Sequence, residues 1–137
     1  MNIPLPTKIE VKSSPIHGLG VFAITPIKKG EIIEECPVIT VSYIDATTSN
    51  ILHRYRFLYP IEKPTEHCIP LGYGCIYNHS DNNNAMWTMN RQKHRVFDFI
   101  ALRDIQAGEE ICTKYGGRQY WEYQATQNSK QSTIFNT

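Results

Sequence analysis

Apolar and polar positions alternate along this chain in short runs, and that period of two predicts strands. "KIEVK" at 8–12 alternates, and "GVFAI" at 20–24 follows a glycine-rich turn. "EIIEECPVITVS" at 31–42 is dense in β-branched residues, with Pro37 marking a bend or a sheet edge. "RVFDFIALRDI" at 95–105 and "EEICTKYG" at 109–116 alternate again, and Ala85, Met86 and Trp87 read as a further strand. Gly and Pro punctuate these runs at short intervals, which predicts an all-β or β-rich domain. One stretch has helical spacing instead. "TSNILHRYRFLY" at 48–59 places Ile51, Leu52, Tyr55 and Leu58 or Tyr59 near one face, with Ser49 or Asn50 as a cap. A second short helix is expected within "RQYWEYQA" near the end.

Two segments echo each other. "AITPIKKGEII" at 23–33 lines up with "ALRDIQAGEEI" at 101–111, with Ala, Ile, Gly, Glu and Ile at matching offsets. Each reads as strand, turn, strand, and Gly30 or Gly108 supplies the positive φ that the turn needs. Two copies are too few for a solenoid, so duplicated hairpins within one domain are expected. The closing "QNSKQSTIFNT" is polar, and residues 124–137 read as a frayed tail.

Length and charge narrow the function classes. A chain of 137 residues fits one domain able to bury a core of its own. Its net charge is +1, and Lys and Arg form no long run, so no strong field draws it to nucleic acid or to an anionic membrane. No apolar stretch approaches the roughly 20 residues of a membrane span. "MNIPLPTKIE" lacks the regions of a signal peptide, which suggests an intracellular protein, cytoplasmic or nuclear. Cys36, Cys68, Cys75 and Cys112 are widely spaced, and in such a protein they read as buried thiols rather than disulfides. Cys75-x-x-x-His79 resembles half of a metal site and His67-Cys68 another half, but the spacing is not that of a zinc module, and no metal is expected.

Three motifs carry chemistry. In "HGLGVFA" at 17–23, Gly18 and Gly20 flank Leu19, which lets a backbone turn tightly and approach a ligand; an ordinary hairpin turn would look the same. No Gly-x-Gly-x-x-Gly is present, so a dinucleotide fingerprint is not supported. In "YGCIYNHSDNNNAMW" at 73–87, an apolar approach ends in Asn78, His79 and Ser80. Buried Asn and His are costly unless hydrogen-bonded, and Asn offers both a donor and an acceptor, which suits a zwitterionic ligand or a purine edge. The plainer readings are a satisfied core histidine and a turn at Asn82, Asn83 and Asn84. In "GEEICTKYGG" at 108–117, Tyr115 stands at a strand end before paired glycines; Tyr120, Trp121 and Tyr123 follow, and all could be packing aromatics.

The order of these blocks is more specific than any one of them. "KSSPIHGLGVFA", "KKGEIIEE", "NHSDNNNA" and "AGEEICTKYG" resemble, in sequence and separation, the SET domain of protein-lysine methyltransferases. The likeness covers most of the chain, about 8–121, within one domain over 1–137. "LGYGCIYNHS", the closing "YW" and the small size are similar to the stand-alone viral SET proteins. The resemblance implies a mostly β fold of small curled sheets (β-clip-like), with a C-terminal pseudoknot and one or two short helices. It implies methyl transfer from S-adenosylmethionine to a lysine ε-amine, on a histone tail or another protein, and a possible homodimer like the small viral members. It implies no direct contact with nucleic acid or membrane.

Carried over by residue, Gly18, Leu19 and Gly20 would bring backbone groups to the methionine part of the cofactor. Asn78 and His79 would hold its amino group and adenine, and Asn84 would support the knot. Tyr115 would be the catalytic tyrosine. Trp121 would wall the adenine pocket, Tyr55 and Tyr120 would line the lysine channel, and Tyr73 and Tyr77 would shape the wall beside the cofactor. The chain departs from many histone-directed members in lacking a Cys-x-Cys tail after Gly116, so "RQYWEYQATQ" would close the site. Thr113 stands where Phe or Tyr often influences the number of methyls added. A SET fold that binds peptide or cofactor with little turnover is the alternative, and a purely structural β domain is the other.

Overall fold

Most of the regular structure lies in strands. The computed structural model describes residues 2–48, 55–59 and 66–114. Along the chain run β1 (Ile9–Ser13), β2 (Leu19–Ala23), β3 (Ile32–Val41), α1 (Tyr43–Thr48), β4 (Phe57–Tyr59), β5 (Glu66–Pro70), β6 (Asn78–His79), β7 (Ala85–Met89), β8 (Val96–Ala101) and β9 (Glu110–Thr113). They form two sheets, ordered β1-β2-β9-β6 and β4-β5-β3-β8-β7. The pairings are antiparallel except β6 with β9, which is parallel and sets Asn78 beside Cys112 and His79 beside Thr113.

β3 shows why the sheets are small and bent. Its first half pairs with β8 as far as Pro37 opposite Val96; its second half, from Val38, pairs with β5. Proline has no N–H to continue a ladder, so Pro37 falls where the strand changes partner, and its carbonyl accepts from Leu71 N at 2.8 Å. A register shift between Ile32 and Glu34 turns both Ile33 and Glu34 into the interior.

The sequence echo becomes a local two-fold. Ile27 and Ile105 exchange both backbone hydrogen bonds at 2.8 Å. Around them Gly30 N donates to Ala101 O and Gly108 N to Ala23 O, each at 2.8 Å, so each copy's turn docks on the other's strand. Both glycines have the positive φ expected, 86° and 90°. The same acid closes both turns: Glu31 Oε1 accepts from Lys28 N and Glu109 Oε1 from Gln106 N.

Apolar faces of both sheets meet in one core. Tyr77 stacks on Phe99 with centroids 4.4 Å apart, and Phe97 lies against Trp87 and Phe57. Cys36, Cys68 and Cys112 are buried free thiols within it, as small hydrophobes.

The helix expected at 48–59 is corrected over its described part, 55–59. The helix lies earlier, at Tyr43–Thr48, where Ser42 Oγ accepts from Asp45 N at 3.0 Å as an N-cap. Phe57–Tyr59 is a strand instead, paired to β5 with Phe57 opposite Cys68. Phe57 gains an edge-on contact with Trp87, centroids 4.7 Å apart, and that packing overrides the helical spacing. Ser49, Asn50, Ile51 and Leu52 lie outside the described residues, as do the second expected helix, the C-terminal knot and the tail.

Candidate functional site

The site grows from three segments that the first sheet brings together: the loop between β1 and β2, the two-residue strand β6, and the start of β9. Gly18 turns the loop with φ 48°, and Ser14 N donates to Gly18 O at 2.8 Å to close it. A side chain at Gly18 would meet open space, so its glycine is required by conformation. Gly20 is different. A Cβ there would overlap the Glu110 carboxylate and press on Ser14 Cβ at 3.0 Å. Glycine at 20 therefore makes room for a protein carboxylate. Leu19 between them is 56% exposed.

Asn78 is buried at the junction. Its Nδ2 donates toward His17 O at 3.1 Å, Leu19 O at 3.1 Å and Glu110 Oε2 at 2.8 Å. Ser14 Oγ donates to the same carboxylate, 2.7 Å from Oε1 and 2.9 Å from Oε2, while accepting from Ile16 N. The glycine turn is thus tied to Asn78 both directly and through Glu110. His79, next along, is partly exposed with Nε2 3.1 Å from Asp81 Oδ1, so it is not the buried core histidine of the plainer reading.

Asn84 works on the other side of β9. Its Oδ1 accepts from Cys112 N at 2.8 Å and its Nδ2 donates to Glu110 O at 2.9 Å, so one buried side chain substitutes for a neighbouring strand. Ser80 N to Thr113 O, at 3.0 Å, fixes the end of β9 one turn of the pleat before the chain reaches Tyr115. The asparagine run is a turn, with Asn82 N donating to Ser80 Oγ, but not a left-handed one: among the described residues other than glycine, Arg95 alone has positive φ.

Behind the site, Tyr77 and Tyr73 are held by Glu34, whose oxygens accept from Tyr77 Oη at 2.7 Å and Tyr73 N at 2.9 Å. Burial pushes this carboxyl above the usual carboxylate range, and the two donors offset that only in part. Burial, with the Glu110 carboxylate nearby, pushes the Cys112 thiol up to about 11, so it is no nucleophile at neutral pH. Among the described residues no three His, Cys, Asp or Glu side chains gather as a metal site, and the Cys75 sulfur instead faces Pro70 O at 3.4 Å.

The fold thus brings Gly18, Leu19, Gly20 and Asn78 together, with His79 beside them. Tyr55 is 45% exposed at the turn before β4, its carbonyl near Cys75. Tyr115, Tyr120 and Trp121 lie outside the described residues. Ser14 and Glu110 were missed from sequence. Glu110 has the same residue type as its neighbour Glu109, and only the alternation of β9 separates the acid that faces Asn78 from the acid that caps a turn.

The chain is similar to known proteins. A family model described as the SET domain matches residues 18–116. A Schizosaccharomyces pombe protein, described as a histone-lysine N-methyltransferase specific for lysine 37 of histone H3, is 29% identical over 134 residues, spanning 95% of this chain and 88% of that protein. The crystal structure of a Plasmodium falciparum candidate histone methyltransferase is similar with a TM-score of 0.70 and 34% identity, covering 85% of this chain and 99% of that one. No helix among the described residues is long and apolar enough to cross a membrane. With the family model matched from the Gly18 turn to Gly116, the chain belongs to the SET-domain family of protein-lysine methyltransferases.

Proposed function

We propose that this protein binds S-adenosylmethionine at the Gly18–Asn78 junction and methylates a lysine ε-amine of a histone or a similarly exposed protein tail. The observation that carries the reading is the tie between the glycine turn and Asn78. The residues fit the cofactor: two carbonyls and a carboxylate converge on Asn78 Nδ2, whose two N–H bonds cannot fill all three, and an acceptor left over suits an amine. When bound, the cofactor supplies an electrophilic methyl group. The chain's own residues bind, align and exclude water.

The substrate lysine must be neutral to attack. With a reference pKa of about 10.4, deprotonation near pH 7.4 costs roughly 4 kcal/mol. A narrow apolar and aromatic channel lowers that cost by disfavouring the charged form. Tyr115 would orient the amine, with Tyr55, Tyr120 and Trp121 as ring walls, and alignment is then the main contribution to rate. Thr113, buried and small, stands where the bulk of the side chain would influence the number of methyls added. The resemblance to small stand-alone members supports a homodimer, which sedimentation would read as twice the monomer mass.

Incubating the protein with isotope-labelled S-adenosylmethionine and core histones, followed by mass spectrometry, tests the reading. Label on a lysine is the expected result. Cofactor binding by thermal shift without label on any histone or lysate protein would favour the binding-module alternative.

A further inference from the structure

We propose that Glu110 is a selectivity and positioning residue: its carboxylate fixes the Asn78 amide and provides the counter-charge that makes this cradle prefer a ligand bearing an ammonium. The proposal rests on the cofactor reading above and adds a residue to it.

The first observation is a surplus of acceptors. An amide nitrogen has two N–H bonds, yet His17 O, Leu19 O and Glu110 Oε2 all lie within 3.1 Å of Asn78 Nδ2. At least one of the three is underused by the amide and keeps a lone pair for another donor. The second is orientation. A carboxylate only accepts, so it holds Nδ2 rather than Oδ1 towards itself, and Asn78 Oδ1, which accepts no hydrogen bond from the described residues, is left for a ligand N–H. The third is that Glu110 is braced. Ser14 Oγ donates to both its oxygens, and Gly20 clears the volume it occupies. The fourth is charge. The ion pairs of the described residues are Lys8–Glu31, Lys12–Glu10, His79–Asp81 and Lys93–Glu35, so none of these cations neutralises Glu110. A braced, half-buried carboxylate without a cationic partner among the described residues, in a set with one more acceptor than the amide can fill, suits a cation. Hydrogen bonds to charged groups exceed neutral ones, so the ammonium is where selectivity would be read.

The test compares two ligands by calorimetric titration: S-adenosylhomocysteine and its desamino analogue, which differ only in the ammonium. Wild type is expected to prefer the amine-bearing ligand by roughly tenfold or more, the size of one charged hydrogen bond. Glu110→Gln, nearly isosteric and neutral, is expected to lose most of that preference while binding the desamino analogue about as wild type does. Equal losses for both ligands would make Glu110 a scaffold residue and overturn the proposal, as would an unchanged preference. If the Gln variant does not fold, Glu110→Asp carries the test: it keeps the charge and should keep a clear amine preference, and a folded Asp variant without one overturns the idea. Wild type that binds both ligands equally removes the counter-charge alone. Wild type that binds neither removes the cofactor reading and this proposal with it.

Discussion

The hydroxyl of Tyr77, 1% exposed, donates to the buried carboxyl of Glu34 at 2.7 Å. The other oxygen of Glu34 accepts from Tyr73 N. Gly72, at φ 67°, lies so close that a Cβ there would stand 2.5 Å from Glu34 Oε2. One carboxyl therefore pins the segment from Gly72 to Tyr77 onto β3, and that segment delivers Asn78 to the site.

Removing the pin should be costly. Glu34→Ala leaves the Tyr77 hydroxyl buried without its acceptor and opens a cavity, so a loss of about 2–4 kcal/mol is expected in denaturant unfolding. Glu34→Gln should cost less, because its amide can still accept from Tyr73 N and donate to the Tyr77 oxygen. The pH dependence has a definite sign. Burial raises the carboxyl's folded-state pKa above its unfolded value, so the folded state holds the proton more tightly. The stability this contributes is complete below the ordinary carboxylate pKa of about 4.3 and is lost as pH rises through the raised folded value. Unfolding free energy measured across that window should fall less steeply in Glu34→Gln than in wild type. Parallel curves would show that another group sets the slope.

Asn78→Ala should weaken S-adenosylmethionine binding by about 1.5–3 kcal/mol, the range for a hydrogen bond to a charged group. The fold should survive, since β9 keeps its pairing with β2 and the Asn84 clamp. Calorimetric titration at unchanged affinity, with native circular dichroism, would take Asn78 out of the site.

The two loop glycines should fail differently. Gly20→Ala forces a Cβ into the Glu110 carboxylate and against Ser14, so it should displace Glu110 and destabilise by about 1–3 kcal/mol, as overpacking does. Gly18→Ala meets no atoms and carries only the penalty of a left-handed backbone, roughly 1 kcal/mol. Paired unfolding curves check the order; a larger loss at 18 than at 20 would mean that backbone strain outweighs the clash.

Strands with a clean alternation were legible in the sequence: β1 and β2 lie within a residue of where the period of two placed them, while β8 and β9 start within a residue of it but end short, at Ala101 and Thr113. The echo was legible as a repeat of strand and turn, but the hairpins expected of it do not form: β2 pairs with β1 and β9, β8 with β3 and β7, and the copies meet each other at Ile27 and Ile105, because contact between distant segments leaves no local pattern. Phe57–Tyr59 misled for a related reason. Its apolar spacing fitted a helix, and only Cys68, Trp87 and Phe97, remote in sequence, make it a strand. At the site, Asn78 stood out because an amide after an apolar run is costly unless paired. Ser14 and Glu110 did not, since a serine and an acid in strand-flanking positions look like solvated surface until the sheet sets them together.

The last prediction concerns Tyr115, just past the end of β9. Asn84 holds β9 at Cys112 and Glu110, and Ser80 holds it at Thr113, so the chain is fixed up to two residues before the tyrosine. Tyr115→Phe keeps the ring and removes only the hydroxyl. If that hydroxyl aligns the neutral lysine amine, the rate of methyl transfer should fall by about 10²-fold or more, the cost of a misplacement near 1 Å. Cofactor affinity should hardly change if, as proposed, Asn78, Glu110 and the Gly18 turn carry it. Both proteins should become faster as pH rises, since the substrate lysine deprotonates regardless of Tyr115. Single-turnover transfer at saturating S-adenosylmethionine, with affinity and folding measured alongside, decides the matter. Equal rates would leave Tyr115 a packing aromatic, whereas a lower rate with affinity and fold intact assigns the hydroxyl to the transfer step.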